Sequence, residues 1–338
     1  MPMAAPLSAK NPIIKTHHTM KTTKLLLICT TLLALTACGD DGDDIIIERN
    51  TQPTPDNTPV VNENRNTTGV TAAQTRLEFP KLKDGSVVVV HRSVLNKNTK
   101  QEGINYCVEW DPQIHAQRWS CYQMYSSINY LSSYNVSRYY AENDGSLSST
   151  CQYPQDFDLP EQYRLTADPY KYNGFDHGHI CPSADRLRSS ESNYQTFYIT
   201  NMQPQWNVFN AGLWSNMEQQ VRTWAASSDT LYVCKGGTID REEHILRYLT
   251  DQIKRENRIP VPRYFFMAVL SKNSSNYKAI GFWVEQLNED HSNDALRGYA
   301  VSIDELERYT GIDFFCNLPD DIENQVESAL APSSWNLK

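Results

Sequence analysis

The chain has 338 residues, 40% of them hydrophobic and 21% charged, with a formal net charge of −9 at pH 7. That length can bury the core of one large domain or two small ones. The negative balance excludes a protein that holds nucleic acid through a uniformly basic surface, so any dealing with a polyanion must rest on local positive charge or a metal.

Lys21 and Lys24 precede the apolar run Leu25 to Leu35, which closes on Leu35-Thr36-Ala37-Cys38. A short basic region, a short apolar region and a small residue at the cut read as a secretory signal over residues 1–37. Met20 is a sufficient start for it, and the run is too short to span a bilayer. Its end resembles a bacterial lipobox, so Cys38 is expected to carry lipid and become the mature N-terminus; an ordinary cleaved signal, with Cys38 a bystander, is the alternative. The protein is then exported and lipid-anchored at the cell envelope, and the acidic run Asp40-Asp41-Gly42-Asp43-Asp44 resembles the surface-export signals of some lipoproteins.

Residues 38–74 hold seven acids against Arg49 and Arg65, a net of −5, with abundant Asn, Thr and Pro. Such a stretch cannot bury enough apolar area to offset chain entropy and is expected to be a flexible acidic tether. Aromatic and β-branched residues begin at Thr75, and one domain over residues 75–338 is the simplest division. After Cys29 and Cys38, six cysteines remain: Cys107, Cys121, Cys151, Cys181, Cys234 and Cys316. In an exported chain they favour disulfides, sequential pairing being the first expectation. No pair has tight zinc-ligand spacing.

Residues 86–91, 105–110 and 119–125 read as early strands, and 133–171 as loop. Residues 175–180 are strand-like, and 193–200 are a strand or short helix. Leu213, Trp214, Met217, Val221 and Trp224 mark an amphipathic helix over 207–226. Residues 230–234, 264–270 and 278–283 fit central strands. Ser302 and Glu305 form a capping-box pattern that opens a helix, Gly311 ends it, and a second short helix follows Asp320.

Asp176-His177-Gly178-His179 places two imidazoles and a carboxylate around one glycine. On a strand His177 and His179 share a face, and Gly178 leaves room for a close approach. Downstream come Asn201-Met202-Gln203-Pro204-Gln205, then Asn210, Trp214, Glu218 and Arg222. On a regular helix Asn210 and Glu218 would lie about 80° apart, with Arg222 one further turn along. Phosphodiester hydrolysis needs an activated water, a Lewis acid for the leaving oxygen and positive charge on the phosphoryl group. Histidine is suited to the base, and a neutral Asn oxygen suits hard, largely hydrated Mg2+. The general readings of the same residues are a core or surface histidine and an ordinary i, i+4 pair of Glu218 with Arg222. Arg186 and Arg188 read as a surface pair beside the cleft, and His91, His115, His244 and His291 as exposed.

Taken together, Asp-x-Gly-His, Asn201 to Gln205, Asn210-x-Gly212-x-Trp214 and Glu218-x-x-x-Arg222 resemble the DNA/RNA non-specific endonuclease family of ββα-metal nucleases. Ser302 to Thr310 and Leu318-Pro319-Asp320-Asp321 extend the resemblance, which covers most of Val87 to Val326. It implies an α+β fold with a central, mainly antiparallel sheet flanked by helices. It also implies hydrolysis of DNA and RNA to 5′-phosphate products without sequence preference. His179 would be the general base, Asn210 the direct ligand of Mg2+ (or Mn2+), and Glu218 the residue ordering metal-bound water. Arg222 would contact phosphate or stabilise the transition state, Asn201 would help orient the site, and Arg138 is the best match for an upstream phosphate-binding arginine. His177 stands where the family usually has arginine. Two other readings compete: a zinc-dependent hydrolase ligated by His177 and His179, and a non-catalytic surface lipoprotein that binds nucleic acid.

Overall fold

Each apolar run from the middle of the chain onward becomes a strand, and most of these strands are covered on both faces. The computed structural model describes residues 61–67, 69–96, 100–126, 136–252, 255 and 258–337. The expected signal, Cys38, residues 38–60 of the expected tether and the start of the loop expected over 133–171 lie outside the described residues.

In chain order the strands are β1 (Val87–Asn96), β2 (Gln101–Asp111), β3 (Ala116–Met124), β4 (Asp176–His179), β5 (Met202–Gln205) and β6 (Thr230–Gly237). They continue as β7 (Ile245–Thr250), β8 (Arg258–Pro262), β9 (Tyr264–Asn273), β10 (Asn276–Glu285) and β11 (Ala300–Val301). The helices are α1 (Ser190–Gln195), α2 (Asn207–Phe209), α3 (Ser215–Ala225), α4 (Ile303–Thr310) and α5 (Asp320–Ser328).

Seven strands form one sheet in the order β1-β2-β3-β6-β9-β10-β11, every neighbouring pair antiparallel. Side chains alternate across it because the strand period is two. Val108, Tyr122, Val233, Met267 and Ile280 enter one core, together with Ile180, Phe197, Leu213, Met217 and Val221 from the segment that carries the histidines. Cys107, Cys121, Cys234, Phe266 and Ala279 enter the other core, with Ile303, Leu306, Phe314, Leu318 and Val326 from the C-terminal segment. A sheet covered on both faces accounts for strands that read as continuous apolar runs rather than alternating ones. Two small antiparallel pairs, β4–β5 and β7–β8, lie apart from it.

Several expectations hold locally. Ser302 caps α4: its hydroxyl accepts the Glu305 N–H at 3.1 Å, and the Glu305 carboxylate accepts the Ser302 N–H in return. Gly311 ends the helix at φ 72°, a left-handed position that favours glycine.

Others are corrected. The single helix expected over 207–226 is interrupted: Asn210–Trp214 is a π turn with Gly212 at φ −99°, ψ −108°, joining α2 to α3. Within residues 61–67, assigned by composition to the tether, Asn62, Asn64 and Asn66 are bonded to the domain while Val61, Glu63, Arg65 and Thr67 stay exposed. Asn66 is 5% exposed and donates to the Pro80 carbonyl at 2.9 Å, and Asn64 donates to Glu323 Oε1 at 2.7 Å. Short amides satisfy buried polar groups here without needing apolar bulk.

The six described cysteines are free thiols. Cys107 faces Cys121 across β2–β3, and Cys121 in turn faces Cys234 across β3–β6. Cys234 therefore neighbours Cys121, whereas sequential pairing would join it to Cys316.

Candidate active site

β4 and β5 form the hairpin that presents the histidines, with His177 opposite Pro204 and His179 opposite Met202. A Cβ at Gly178 would collide with the buried Gln205 side chain, so glycine leaves that side chain its place against β4. Asn201 fixes the exit from the hairpin. Its amide donates to the carbonyls of Cys181 and Thr196, both at 2.8 Å, and accepts from the Cys181 N–H at 2.9 Å and the Ser120 hydroxyl at 3.1 Å. Fully buried and fully bonded, Asn201 positions the chain after His179 and has no capacity left for a ligand.

His179 sits edge-on to Phe197 with ring centroids 4.7 Å apart. Its Nε2 is buried and has no hydrogen-bond partner. Burial lowers its pKa to about 3, and the positive charges of Arg138, His177 and Lys235 add to the shift, while a backbone hydrogen bond to His177 opposes it. A buried, neutral imidazole with one idle nitrogen is what proton transfer requires. Arg138 is exposed and lies over the same Phe197 ring at 5.2 Å, so its guanidinium flanks the imidazole.

His177 is held elsewhere. Its Nε2 is 2.7 Å from Asp168 Oδ2, and its ring stacks on Tyr153 at 4.1 Å and packs tilted against Tyr170 at 4.7 Å. Among the described residues, neither His177 nor His179 joins a group of three or more metal-type donors that converge. Asp168 holds the His177 ring through Nε2 and sets its orientation beside His179.

The helical half of the site is joined to the hairpin through Asp176. Its Oδ2 accepts Nδ2 of both Asn207 and Asn210 at 2.9 Å. This fixes the Asn210 amide with its oxygen turned away from the carboxylate, free to act as a ligand. The donor set suits a hydrated hard cation, which takes few protein ligands.

Glu218 and Arg222 do not pair with each other. Glu218 Oε1 accepts Lys235 Nζ at 2.7 Å, and Arg222 Nη1 donates to Asp185 Oδ1 at 2.8 Å. Lys235 is fully buried on β6, its ammonium 4.8 Å from the Trp214 ring centroid. Burial raises the Glu218 pKa, and the Lys235 charge opposes that shift. Sequence reasoning missed Lys235, although a lysine inside the run Leu231-Tyr232-Val233-Cys234-Lys235 was a readable signal, because a cation within a buried strand needs a partner. It also missed Asp168 and Asp185, for which no local pattern exists.

Arg186 and Arg188 are buried, at 0% and 1% exposure, correcting the surface pair. The Arg186 guanidinium lies over the Tyr122 ring at 4.4 Å, and both arginines donate to the Gln123 carbonyl at 3.4 Å. A planar cation that stacks on an aromatic ring and bonds carbonyls tolerates this environment.

Two antiparallel strands bearing His179, followed by a helical segment whose Asn210 is bonded to Asp176 of the first strand, form a ββα arrangement. A family model described as DNA/RNA non-specific endonuclease matches residues 111–321, and this chain belongs to that family. It is 33% identical over 172 residues to a nuclease of Nostoc sp. (strain PCC 7120), covering 49% of this chain and 59% of that protein. It is 27% identical over 177 residues to mitochondrial endonuclease G of Bos taurus, covering 52% of this chain and 59% of that protein. In each case the matched stretch spans less than two thirds of the relative. A chain in the crystal structure of the EndoG/EndoGI complex, described in connection with the mechanism of EndoG inhibition, superposes with a TM-score of 0.51 at 19% identity. That match covers 63% of this chain and 84% of the other, and it shows the shared fold.

Proposed function

We propose that this chain is a metal-dependent endonuclease that hydrolyses the phosphodiester bonds of DNA and RNA without sequence preference. The observation that carries the reading is His179 Nε2, buried and without a partner beside Arg138. It is supported by family membership and by the Asp176–Asn210 tie between hairpin and helix.

In the proposed reaction His179 takes a proton from the attacking water through Nε2. A base held neutral by burial and by the nearby charges of Arg138 and Lys235 is weak until substrate arrives. The phosphate's negative charge then offsets Arg138 and Lys235 and raises the proton affinity of the ring at the moment it is needed. Arg138 receives a phosphate oxygen. Asn210 Oδ1 would hold Mg2+, which supplies Lewis acidity to the leaving oxygen. Glu218, fixed by Lys235, would orient water around that ion. Arg222 retains donors beyond the one given to Asp185 and faces the same side as Glu218. Contacts to phosphate rather than to base edges carry no sequence information, which fits cleavage without preference.

For placement in the cell, the basic and apolar leader and Cys38 support export and lipid anchoring at a bacterial envelope. Labelling with a radioactive fatty acid, lost on Cys38→Ser, tests the anchor.

The reading is tested by incubating the protein with supercoiled plasmid and single-stranded RNA in Mg2+ and in EDTA. Metal-dependent cleavage of both supports it. Tight binding with no cleavage in saturating Mg2+ would replace it with the non-catalytic alternative.

A further inference from the structure

A second carboxylate cluster lies on the other side of the sheet from His179. α4 places Asp304 and Glu307 three residues apart on one helical face, and α5 brings Glu327 against them. One carboxylate oxygen from each lies within 4.8 Å of the others. Oxygens this close can share one ion, with small side-chain adjustments bringing each to about 2.4 Å, the usual Ca2+–oxygen distance.

Acidic groups alone would not argue for a ligand. Glu327, however, is only 6% exposed, and its Oε1 is buried with no hydrogen-bond partner. The donors nearby are committed to other carboxylates. Asn64 Nδ2 serves Glu323 and Asp313, and the Phe314 N–H serves Glu307 Oε1 at 2.7 Å. Among the described residues no lysine or arginine forms an ion pair with Asp304, Glu307, Glu323 or Glu327. Burial and the neighbouring carboxylates raise Glu307 to about 8 and Glu327 to about 10, so near neutrality each holds a proton that a bound cation would displace.

We propose that Asp304, Glu307 and Glu327 bind Ca2+ and thereby clamp α4 to α5 over the second core. An all-oxygen donor set favours a hard cation over zinc. Exposed Asp304 leaves a route of entry and room for water ligands, and flexible Ca2+ coordination suits three unevenly buried carboxylates better than Mg2+, which sheds its water reluctantly. The site is separate from Asn210 and does not depend on the nuclease reading.

The test is thermal unfolding of the full chain with added CaCl2 and with EDTA, run on the parent, Asn210→Ala and Glu327→Gln. Calcium is expected to raise Tm of the parent and of Asn210→Ala, because stabilisation follows binding to the folded state alone. Glu327→Gln is expected to lose the calcium shift and to be no less stable than the parent in EDTA. Calorimetric titration of Asp304→Asn, altered only at the rim, is expected to show weakened Ca2+ binding in a folded protein. An equal calcium shift in Glu327→Gln, unweakened binding by Asp304→Asn, or a parent whose Tm does not respond to calcium would overturn the site.

Discussion

Asp176 and Asn210 are joined by a hydrogen bond of 2.9 Å, from the Asn210 amide to Asp176 Oδ2. Three residues along the same strand is His179. One carboxylate therefore fixes the helix bearing the proposed metal ligand against the hairpin bearing the proposed base. It also leaves the Asn210 amide oxygen as the end available to the proposed ion.

If that orientation matters, Asp176→Ala should weaken metal use more than chemistry. Partners that orient a ligand are typically worth about 10- to 100-fold in metal affinity. The Mg2+ concentration for half-maximal cleavage should rise by about that factor, with the rate largely recovered at saturation. A rate lost equally at all Mg2+ concentrations would assign Asp176 to the chemical step instead.

Lys235 and Glu218 form a buried ion pair at 2.7 Å. Removing one member of such a pair leaves a buried, uncompensated charge and costs about 3–5 kcal/mol, whereas removing both costs far less. Urea unfolding should show Lys235→Met strongly destabilised, and Lys235→Met with Glu218→Gln restored toward the parent. Additive losses in the double variant would mean that the pair is not coupled.

His91 was expected at the surface and is fully buried. Its Nε2 lies 3.3 Å from Asp156 and its Nδ1 3.2 Å from Asp158. The Nε2 contact is an ion pair without hydrogen-bond alignment. Burial disfavours the imidazolium, but the two carboxylates outweigh it and raise the pKa to about 9. A folded pKa above the unfolded value of about 6.5 stabilises fully below that pH and is lost as pH rises through about 9. The pair of values corresponds to about 3 kcal/mol. Asp156 is shifted the other way: burial opposes its ionisation, but His91 holds its pKa down, so its contribution is lost in acid. Unfolding free energy should therefore fall more steeply between about pH 6.5 and pH 9 in the parent than in His91→Gln, the raised Glu307 and Glu327 leaving a slope common to both.

What could be read in advance follows from how local each feature is. The Ser302 cap and the Gly311 stop depend on neighbours within four residues and were legible. The central strands were legible as apolar runs, although the pattern could not say that β7–β8 forms a separate pair. His179 and Asn210 were legible because their types and spacing match a family motif. The partners that tune the site were not: Asp168 for His177, Lys235 for Glu218 and Asp185 for Arg222 are brought in by tertiary packing. Burial of Arg186, Arg188 and His91 was missed for the same reason, since a charged residue looks solvated until its aromatic or carboxylate partner is placed. The π turn at Asn210–Trp214 breaks the regular helical spacing from which the side of Glu218 was inferred.

The central claim is that the idle nitrogen of His179 serves cleavage of both nucleic acids. The most direct measurement is plasmid and single-stranded RNA cleavage by protein lacking residues 1–38, comparing the parent with His179→Ala in saturating Mg2+. Loss of a positioned general base typically costs about 10²- to 10⁴-fold. Cleavage of both substrates falling by that factor, with an unchanged unfolding profile, is the predicted result. Equal rates for parent and variant, or a folded parent inert toward both substrates, would contradict the account.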